Sequence, residues 1–243
     1  MQIELKNVKK SYDRQAVLAG IDLKVPSGET LTVLGRSGTG KSVLLRLLVG
    51  LEKPDAGSIC IDDRDIVGLN TAALNEIRKK IGFLFQEAAL YDSMTIEQNV
   101  AFPLKRHTNI TAADRDRRVR ELLNSVGLDR DLDKLPGQLS GGMKKRVGLA
   151  RALALDPEMI MFDEPTSGLD PISSEEIDEL IDKLKKERKI TSIVVTHDLA
   201  SARHISDSVV VLDQGRIVAE GTFDDIEKSK HPMVKRFLHA EER

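Results

Sequence analysis

Residues 35–42 constrain the fold of this chain more than any other feature, because they combine glycines with a lysine and a serine at fixed spacing. They read Gly-Arg-Ser-Gly-Thr-Gly-Lys-Ser and match the pattern G-x-x-x-x-G-K-[ST]. An apolar run at residues 30–34, typical of a strand buried on both faces, precedes them. A nearly continuous apolar stretch at residues 43–49, typical of a buried helix, follows them. In this context the pattern predicts a strand, a phosphate-binding loop and a helix.

The composition of the loop has a chemical explanation. Glycines let the backbone curl so that several N–H groups converge on phosphate oxygens, and the start of the helix adds donors and a favourable dipole. Lys41 would supply a point charge to the terminal phosphates, and the Ser42 hydroxyl can ligate Mg²⁺. The alternative is a chance glycine turn, for which random matching gives roughly 0.01 occurrences in a chain this long. The predicted nucleotide-binding residues of the loop are Gly35, Arg36, Ser37, Gly38, Thr39, Gly40, Lys41, Ser42 and Val43.

Two adjacent carboxylates follow a second apolar run, at residues 159–162. Ligands of open α/β sheets bind beyond the carboxyl ends of the strands, where Asp163 and Glu164 would lie. Asp163 is expected to hold Mg²⁺ through its water shell. Glu164 is expected to polarise the water that attacks the γ-phosphate. The simpler alternative is that these two acids only begin a loop.

A second candidate anion site lies at residues 139–143, Leu-Ser-Gly-Gly-Met. Ser140 and the two glycines open a helix, whose free N–H groups and dipole favour an anion. Taken alone, this pattern is equally typical of an ordinary helix cap. Its position shortly before the acidic strand end favours the anion site over the ordinary cap.

The order of predicted elements favours an α/β fold. Strand-like runs at residues 2–8, 18–25, 58–62 and 81–85 precede a stretch of helical character, and strand-like runs return from residue 159 onwards. A helix is expected after Pro171, because residues 177, 180, 181 and 184 are apolar and share one helical face. Alternating strands and helices predict a parallel sheet covered by helices.

Charge and composition exclude several classes of protein. With 37 Lys and Arg against 39 Asp and Glu, the formal net charge of −2 gives no bulk reason to bind nucleic acid. The basic run at residues 115–120 is interleaved with acids, which is typical of a solvated helix face.

The single cysteine, Cys60, excludes an internal disulfide. No apolar run approaches the roughly 18 residues of a membrane span, and the start of the chain lacks a signal-peptide pattern. We therefore expect a cytosolic protein that acts on a membrane only through a partner.

In their order along the chain, these motifs resemble those of the ATP-binding subunits of ABC transporters, over essentially the whole length. Residues 35–42 match the Walker A loop, and residues 159–164 match Walker B with its catalytic glutamate. Residues 139–143 match the signature, which usually reads Leu-Ser-Gly-Gly-Gln. Single functional residues of the family are matched by Tyr12, the aromatic that stacks on adenine, Gln86 of the Q-loop, Asp170 of the D-loop and His197, the switch histidine.

The resemblance implies a single ABC ATPase domain over residues 1–243, with an α/β fold. Its P-loop NTPase (RecA-like) core would carry an N-terminal antiparallel β subdomain and an inserted α-helical subdomain. Residues 1–86 and 156–243 would form the ATP-binding core with the β subdomain, and residues 87–155 the helical subdomain. The implied cofactors are ATP and Mg²⁺. The implied catalytic residues are Glu164, His197, Gln86 and Lys41, and the implied metal ligands are Ser42, Gln86 and Asp163.

A head-to-tail dimer, either a homodimer or a pair with a second ATPase subunit, is a further implication of the resemblance. Each ATP would lie between the Walker A loop of one chain and the signature residues of the other, here Ser140, Gly141, Gly142 and Met143. Met143 stands where most of the family has Gln. The Ser140 hydroxyl and the glycine N–H groups are retained, so the phosphate contact should survive, while any polar contact of a glutamine amide is lost.

The resemblance also implies a membrane permease that docks near the segment after Gln86. Residues 88–94 are unusually apolar for a loop and include Tyr91, so they would accept an amphipathic partner helix. The alternative is that these side chains pack inside the helical subdomain. A protein of this kind would lie in the cytoplasm, peripheral on the cytoplasmic face of the inner membrane.

A finer resemblance is to the Mla/Mce-type ATPases of phospholipid transport. It rests on residues 85–104, on residues 139–147 with Met in place of Gln, and on residues 153–157 together with 167–171. Accessory lipid-binding and regulatory subunits would then be further partners, and no nucleic acid is expected. The alternatives are an importer ATPase for amino acids or another small solute and, more remotely, a non-transport ABC ATPase.

Overall fold

Two sheets organise the chain in the computed structural model, which describes residues 1–13 and 15–239. The smaller, antiparallel sheet contains β1 (Ile3–Tyr12), β2 (Gln15–Val25), β4 (Ala56–Ile61) and β5 (Arg64–Asp65) in the order β2-β1-β4-β5. The larger sheet contains β3 (Thr30–Leu34), β6 (Ile81–Leu84), β7 (Met159–Asp163), β8 (Thr191–Thr196), β9 (Ser208–Asp213) and β10 (Arg216–Gly221). Its order is β10-β9-β3-β8-β7-β6, and all neighbours pair in parallel except β10, which is antiparallel to β9.

Five of the helices described below begin at a side chain that caps their first turn. Thr95, Thr111, Ser140, Asp170 and Thr222 each accept a hydrogen bond from the backbone N–H three residues further on, which satisfies a free donor of the first turn. The helices are α1 (Lys41–Leu48), α2 (Thr71–Arg78), α3 (Ile96–His107), α4 (Ala112–Ser125), α5 (Gly141–Ala152), α6 (Pro171–Arg188), α7 (Leu199–Ile205), α8 (Phe223–Glu227) and α9 (Pro232–Leu238).

The central strands are buried on both faces, as their apolar runs predict. Met161 and Val195 belong to a core cluster shared with α1 and the small sheet. Phe162 and Val194, the alternate positions of the same strands, belong to a second cluster shared with α3, α4 and α5. Because side chains alternate across a strand, both faces must be covered. The predicted α/β class, with a parallel sheet between helices and an additional antiparallel sheet, is confirmed.

Three of the helices, α3, α4 and α5, lie between β6 and β7 in the chain. No strand interrupts them in the described stretch from residue 85 to residue 158, and a short 3-10 turn at Pro136–Gln138 precedes α5. None of the helices over residues 1–13 and 15–239 combines the length and the apolar character needed to cross a membrane.

A buried polar pair joins α6 to α7. The Ser201 hydroxyl donates to Asp178 Oδ1 at 2.6 Å, and Asp178 is 7% exposed. Burial raises the pKa of the Asp178 carboxyl to about 6, which the hydrogen bond from Ser201 partly opposes. The folded protein therefore holds a proton on Asp178 at pH values where the unfolded chain has already lost it. The contribution of Asp178 to the free energy of unfolding therefore decreases as pH rises towards 6. Above that pH the carboxyl is charged in the folded protein, and the contribution stays at its lower value.

We predict that Asp178→Asn gains stability relative to the wild type as pH is raised from 5 to 8. The amide stays neutral, whereas the wild-type carboxyl ionises, so the difference should shift by about 1 kcal/mol in favour of the variant. Urea unfolding at both pH values measures this. Glu179→Gln, at an exposed position of the same helix, is the matched control and should show no such shift. A pH-independent difference for Asp178→Asn would contradict the assignment of a buried, protonated carboxyl.

Candidate functional site

The candidate residues meet at one edge of the large sheet. The strands β3, β8, β7 and β6 are parallel neighbours, so their carboxyl ends lie side by side. The loop at residues 35–42 follows β3, and Asp163 with Glu164 ends β7. His197 follows β8 and Gln86 follows β6. Four segments that are distant in sequence therefore deliver their side chains to a single place.

The backbone of the loop requires glycine at particular positions. Gly40 immediately precedes α1 with φ of +104°, and Gly38 has φ of +82°. Both values lie in the region that side chains disfavour. Gly35 has a different reason, because a Cβ there would lie 2.6 Å from the carbonyl oxygen of Leu212 on β9. The glycines allow the turn to be tight and to pack against the neighbouring strand.

Lys41 is almost fully buried, at 6% exposure, and is surrounded by oxygen atoms. Its ammonium donates to the carbonyl of Gly35 at 2.7 Å and to that of Arg36 at 3.3 Å. Its Nζ also lies 3.2 Å from Glu164 Oε1. These oxygen atoms compensate the positive charge of Lys41 and hold its ammonium between the loop and Glu164.

Glu164 occupies the centre of the site, with its carboxylate between Lys41 and His197. Its second oxygen, Oε2, lies 2.8 Å from His197 Nδ1. The residue is 8% exposed and has φ of +49°, in the left-handed region. A non-glycine residue held there costs on the order of 1 to 3 kcal/mol, and such strain is common at functional sites. The observed geometry fits a carboxylate held in a defined orientation.

Ser42 and Asp163 form a second polar pair beside Lys41. The Ser42 hydroxyl donates to Asp163 Oδ1 at 3.0 Å. Burial raises the pKa of the Asp163 carboxyl, and the hydrogen bond from Ser42 opposes this rise. A hydroxyl and a carboxylate together offer hard oxygen ligands of the kind that Mg²⁺ prefers.

A cavity of about 1170 Å³ collects most of the predicted nucleotide-binding residues. Gly35 and Asp163 are not among its lining residues, but they contact Lys41 and Ser42, which are. The predicted residues that line the cavity are Tyr12, Arg36, Ser37, Gly38, Thr39, Gly40, Lys41, Ser42, Val43, Gln86, Glu164 and His197.

Part of the cavity wall was not predicted from the sequence. It comes from β2, from the segment after Glu164, from the turn between β9 and β10, and from α9. The turn residues carry a recognisable signal, since Asp213-Gln214-Gly215 between apolar runs is turn chemistry. No pattern in the local sequence of α9 indicates that this helix packs beside the cavity. The lining residues outside the predicted nucleotide-binding set are Val17, Ser167 of the stretch 167–170 that resembles the D-loop, Asp213, Gln214, Met233, Arg236 and Phe237.

Tyr12 stands at the wall of the cavity and is 39% exposed. Its hydroxyl is hydrogen-bonded to Glu52, which also accepts from Arg46 Nε at 2.6 Å. The Lys10 ammonium lies 5.3 Å from the centre of the tyrosine ring, within the range of a cation–π contact. Arg46 belongs to α1, so the tyrosine is fixed to the helix that follows the phosphate loop.

The structure does not bring the signature residues or Asp170 to this cavity. Among the described residues that line it, none belongs to residues 139–143, and Asp170 is also absent. Ser140 caps α5 by accepting from the Met143 N–H at 3.2 Å. Asp170 caps α6, where it accepts from the N–H of Ser173 at 3.0 Å and from its hydroxyl at 2.7 Å.

The two helix starts pack against each other, away from the cavity of their own chain. A Cβ on Gly142 would lie 3.3 Å from the Cβ of Ser173, and one on Gly141 would lie 3.0 Å from Leu169 Cδ2. The start of α5 is therefore close-packed on the start of α6. Ser140 and Gly141 are both exposed there.

A second, smaller cleft of about 420 Å³ lies beside the segment after Gln86. Tyr91 and Phe102 pack there with ring centres 4.8 Å apart. Arg151 of α5 donates to the carbonyls of Ala88 at 2.6 Å and Ala89 at 2.8 Å, two consecutive residues in the left-handed region. The cleft is lined by Lys79, Ile81, Gly82, Phe83, Phe85, Ala89, Tyr91, Phe102, Pro103, His107, Arg151, Ala152 and Leu155.

Comparison with known proteins agrees with this geometry. The family model described as ABC transporter matches residues 18–167. The probable ribonucleotide transport ATP-binding protein mkl of Mycobacterium leprae is 42% identical over 238 residues, which cover 98% of this chain and 69% of that protein. The methionine import ATP-binding protein MetN of Caulobacter vibrioides is 43% identical over 245 residues, covering 99% and 73% of the two chains.

Solved structures resemble the whole fold. An ATP-binding cassette solved as a dimer in a post-hydrolysis state with ADP and Pi superposes with a TM-score of 0.85 at 36% identity, over 91% of this chain and 98% of that one. The cbiO1 protein of Clostridium perfringens, part of the ABC transporter complex cbiONQ, gives a TM-score of 0.86 at 30% identity, over 99% and 98% of the chains. This chain therefore belongs to the ABC transporter family, as one of its ATP-binding, ATP-hydrolysing subunits.

Proposed function

We propose that this subunit hydrolyses ATP at the interface of a head-to-tail dimer and so powers phospholipid transport through a partner membrane permease. One observation carries the chemistry. The Lys41 ammonium, the Ser42–Asp163 pair and the Glu164–His197 pair converge at one edge of the sheet, beside a single cavity. The ammonium would supply charge neutralisation, the Ser42–Asp163 pair metal ligands and the Glu164–His197 pair a positioned base, which are three requirements of phosphoryl transfer.

The contacts of Lys41 suggest how ATP binding prepares the base. The ammonium is shared between Glu164 and the carbonyls of Gly35 and Arg36. The terminal phosphates carry more charge than one carboxylate, so they would compete for the ammonium and for the N–H groups of the loop. Glu164 would then be released from Lys41 while it keeps its contact with His197.

Hydrolysis follows from this arrangement. Glu164 would take a proton from water as the water oxygen attacks the γ-phosphorus, and the bond from that phosphorus to the β-bridging oxygen breaks to leave ADP and phosphate. His197 would hold the carboxylate in orientation through Nδ1. Gln86 would lie beside the attacking water, and Tyr12 would stack on adenine.

The oxygen atoms of Ser42, Asp163 and Gln86 suit Mg²⁺, which would neutralise charge on the phosphates. No group of three or more His, Cys, Asp or Glu side chains is placed to hold a metal anywhere in residues 1–13 and 15–239. This fits a Mg²⁺ ion that takes few protein ligands and is held largely by phosphate oxygens and water.

The placement of the signature supports the shared site. Ser140 and Gly141 are exposed at the start of α5 and do not line the cavity of their own chain. A second subunit, turned head to tail, would bring such a helix start to the γ-phosphate, so that ATP completes the interface and hydrolysis loosens it. The relative solved as a dimer with ADP and Pi supports a dimeric working form. Residues 87–155, which carry the signature, would then move as a helical subdomain relative to the ATP-binding core.

The cleft after Gln86 is the proposed docking place of the permease. Phe85 and Tyr91 are 38% and 45% exposed, and they lie among apolar side chains. An amphipathic helix laid into this cleft would bury them. The membership of cbiO1 in a transporter complex supports this interpretation. The subunit would thus be cytoplasmic and peripheral on the inner membrane, with accessory lipid-binding and regulatory subunits as further partners.

The proposed cargo rests on the resemblance of three sequence stretches to the Mla/Mce-type ATPases. Met143 in the signature is one element of that resemblance. The names of the relatives favour a second candidate, an importer of methionine or another small solute such as a ribonucleotide. The nucleotide site is common to all of these transporters, so cargo must be tested on the complex.

We predict that Lys41→Ala raises the Kd for ATP tenfold to a hundredfold. A charge-assisted hydrogen bond contributes about 1.5 to 3 kcal/mol, and each 1.4 kcal/mol corresponds to about a factor of ten. Titration with a fluorescent ATP analogue measures the change. Lys24→Ala, at an exposed position of β2, is the matched control. Unchanged binding and turnover in Lys41→Ala would remove the phosphate-loop assignment.

Glu164→Gln should bind ATP and accumulate as an ATP-bound dimer, because the interface forms but the base is lost. We expect kcat to fall on the order of a hundredfold or more. Adding Ser140→Arg to the same chain should abolish the trapped dimer in size-exclusion chromatography, while monomeric ATP binding stays unchanged. If Ser140→Arg instead abolishes ATP binding by the monomer, the signature acts within its own chain and the shared-site model is wrong.

The cargo is tested on the complex purified through a tag on this subunit from native membranes. We expect phospholipid to co-purify with it and a fluorescent phospholipid to be transferred in an ATP-dependent manner. The complex with Glu164→Gln is the matched control and should bind lipid without transferring it. ATP-dependent uptake of methionine or a ribonucleotide, without lipid transfer, would overturn the phospholipid proposal and leave the ATPase assignment intact.

A further inference from the structure

Lys145 is a buried cation next to the candidate base. It lies on α5 and is 4% exposed, and its ammonium donates to the backbone carbonyl of Glu164 at 2.8 Å. Burial lowers the pKa of this ammonium to about 8, although the charges of Glu87, Glu164 and Asp163 act in the opposite direction. Burial of an ammonium destabilises a fold unless hydrogen bonds and opposite charges compensate for the lost hydration. The burial of Lys145 therefore indicates a role for this contact other than packing.

Lys145 is not among the lining residues of the nucleotide cavity. Its side chain reaches the peptide behind Glu164, while the carboxylate of Glu164 faces the cavity, Lys41 and His197. Lys145 would therefore influence turnover without touching ATP.

The backbone of Glu164 is held from three directions. Its N–H donates to Val195 on β8 at 2.9 Å, and its carbonyl accepts from the Ser167 N–H at 3.3 Å and from Lys145. The first two contacts lie within the sheet and the following turn. Lys145 supplies the contact from α5, the helix that begins at the signature. Since φ of Glu164 is left-handed, loss of one restraint allows the peptide to relax and the carboxylate to move.

We propose that Lys145 is a positioning residue for ATP hydrolysis, which holds the strained peptide of Glu164 from the signature-bearing helix and so fixes the catalytic carboxylate. This inference rests on the proposed role of Glu164 as base. It also gives α5 a direct mechanical connection to that base. A shift of α5 on engaging the nucleotide of the partner subunit would be transmitted to the Glu164 carbonyl.

The test is the kinetics of Lys145→Met in the full chain, assembled with its transporter. Methionine fills a similar apolar volume but cannot donate to the carbonyl. We expect kcat to fall on the order of ten- to a hundredfold, the scale of a small misplacement of a catalytic group, while KM and Kd for ATP stay within about twofold. Lys145→Arg keeps a cationic donor and should recover most of kcat. Lys145→Gln, neutral and too short to reach, should repeat the loss seen with Met.

Lys185→Met is the matched control. Lys185 also donates to a backbone carbonyl, that of Ile205 at 3.2 Å, and pairs with Asp207 at 2.7 Å, and none of these three residues lines the nucleotide cavity. It should lower thermal stability without changing kcat. If Lys185→Met reduces kcat as much as Lys145→Met does, the effect is general destabilisation and the proposal is wrong.

A double-mutant comparison distinguishes loss of Glu164 positioning from a general structural effect of Lys145→Met. In a chain that already carries Glu164→Gln, adding Lys145→Met should cause little further loss of kcat, because the group it positions is gone. Multiplicative losses, or a Lys145→Met variant with kcat within twofold of wild type, would overturn the proposal. Normal turnover by Glu164→Gln alone would instead overturn the role of Glu164, so the two failures are distinguishable.

Discussion

The buried contact between Lys41 and Glu164 is the interaction on which the site depends. It joins the loop after β3 to the end of β7, across the intervening strand β8, with Nζ and Oε1 3.2 Å apart and side chains 6% and 11% exposed. Removal of either partner would leave an uncompensated charge in the interior, which is strongly destabilising. ATP would replace one anionic partner of Lys41 by another. In the proposed mechanism, the contact that pairs these charges in the folded chain would thus be the point where ATP binding acts on the base.

The register of the parallel sheet makes this contact possible. Leu34 pairs with Thr196, and Asp163 pairs with Val195, so the three strands end at nearly the same level. The alternating side chains of β7 and β8 are buried against α1 on one face and against α3 to α5 on the other, and Leu34 of β3 packs with α7, α8 and α9. A shift of one residue in any of these strands would exchange the side chains packed on its two buried faces and displace the polar residue at its end, so close packing on both faces constrains the register. Rigid strands therefore hold polar groups that would be mobile on a longer loop.

Much of this site could be predicted from local sequence. The loop at residues 35–42, the acids after β7 and the histidine after β8 each follow an apolar strand, and parallel strands deliver their ends to one edge. What could not be predicted are contacts made by tertiary packing. Met233 and Phe237 reach the cavity because α9 packs beside it. Lys145 belongs to an ordinary basic run, Lys144-Lys-Arg, and nothing in that run marks its middle residue as buried. The signature was recognised by family resemblance, which also implied that it serves the nucleotide of a second chain, and its local sequence alone predicts only a helix cap.

One helix is common to the three places where this subunit is proposed to act. α5 begins at Ser140, which would meet the nucleotide of the partner subunit. It carries Lys145, which donates to the Glu164 carbonyl, and near its end Arg151, which donates to the carbonyls of Ala88 and Ala89 beside the proposed docking cleft. Lys145 and Arg151 are about 9 Å apart along the helix axis at 1.5 Å per residue. Both bind carbonyls whose peptides are in strained, left-handed conformations, so a small displacement of one rigid helix changes two restraints together. Under the proposed function, the stiffness of this single helix would couple signature contact, base position and permease docking without a long chain of separate contacts.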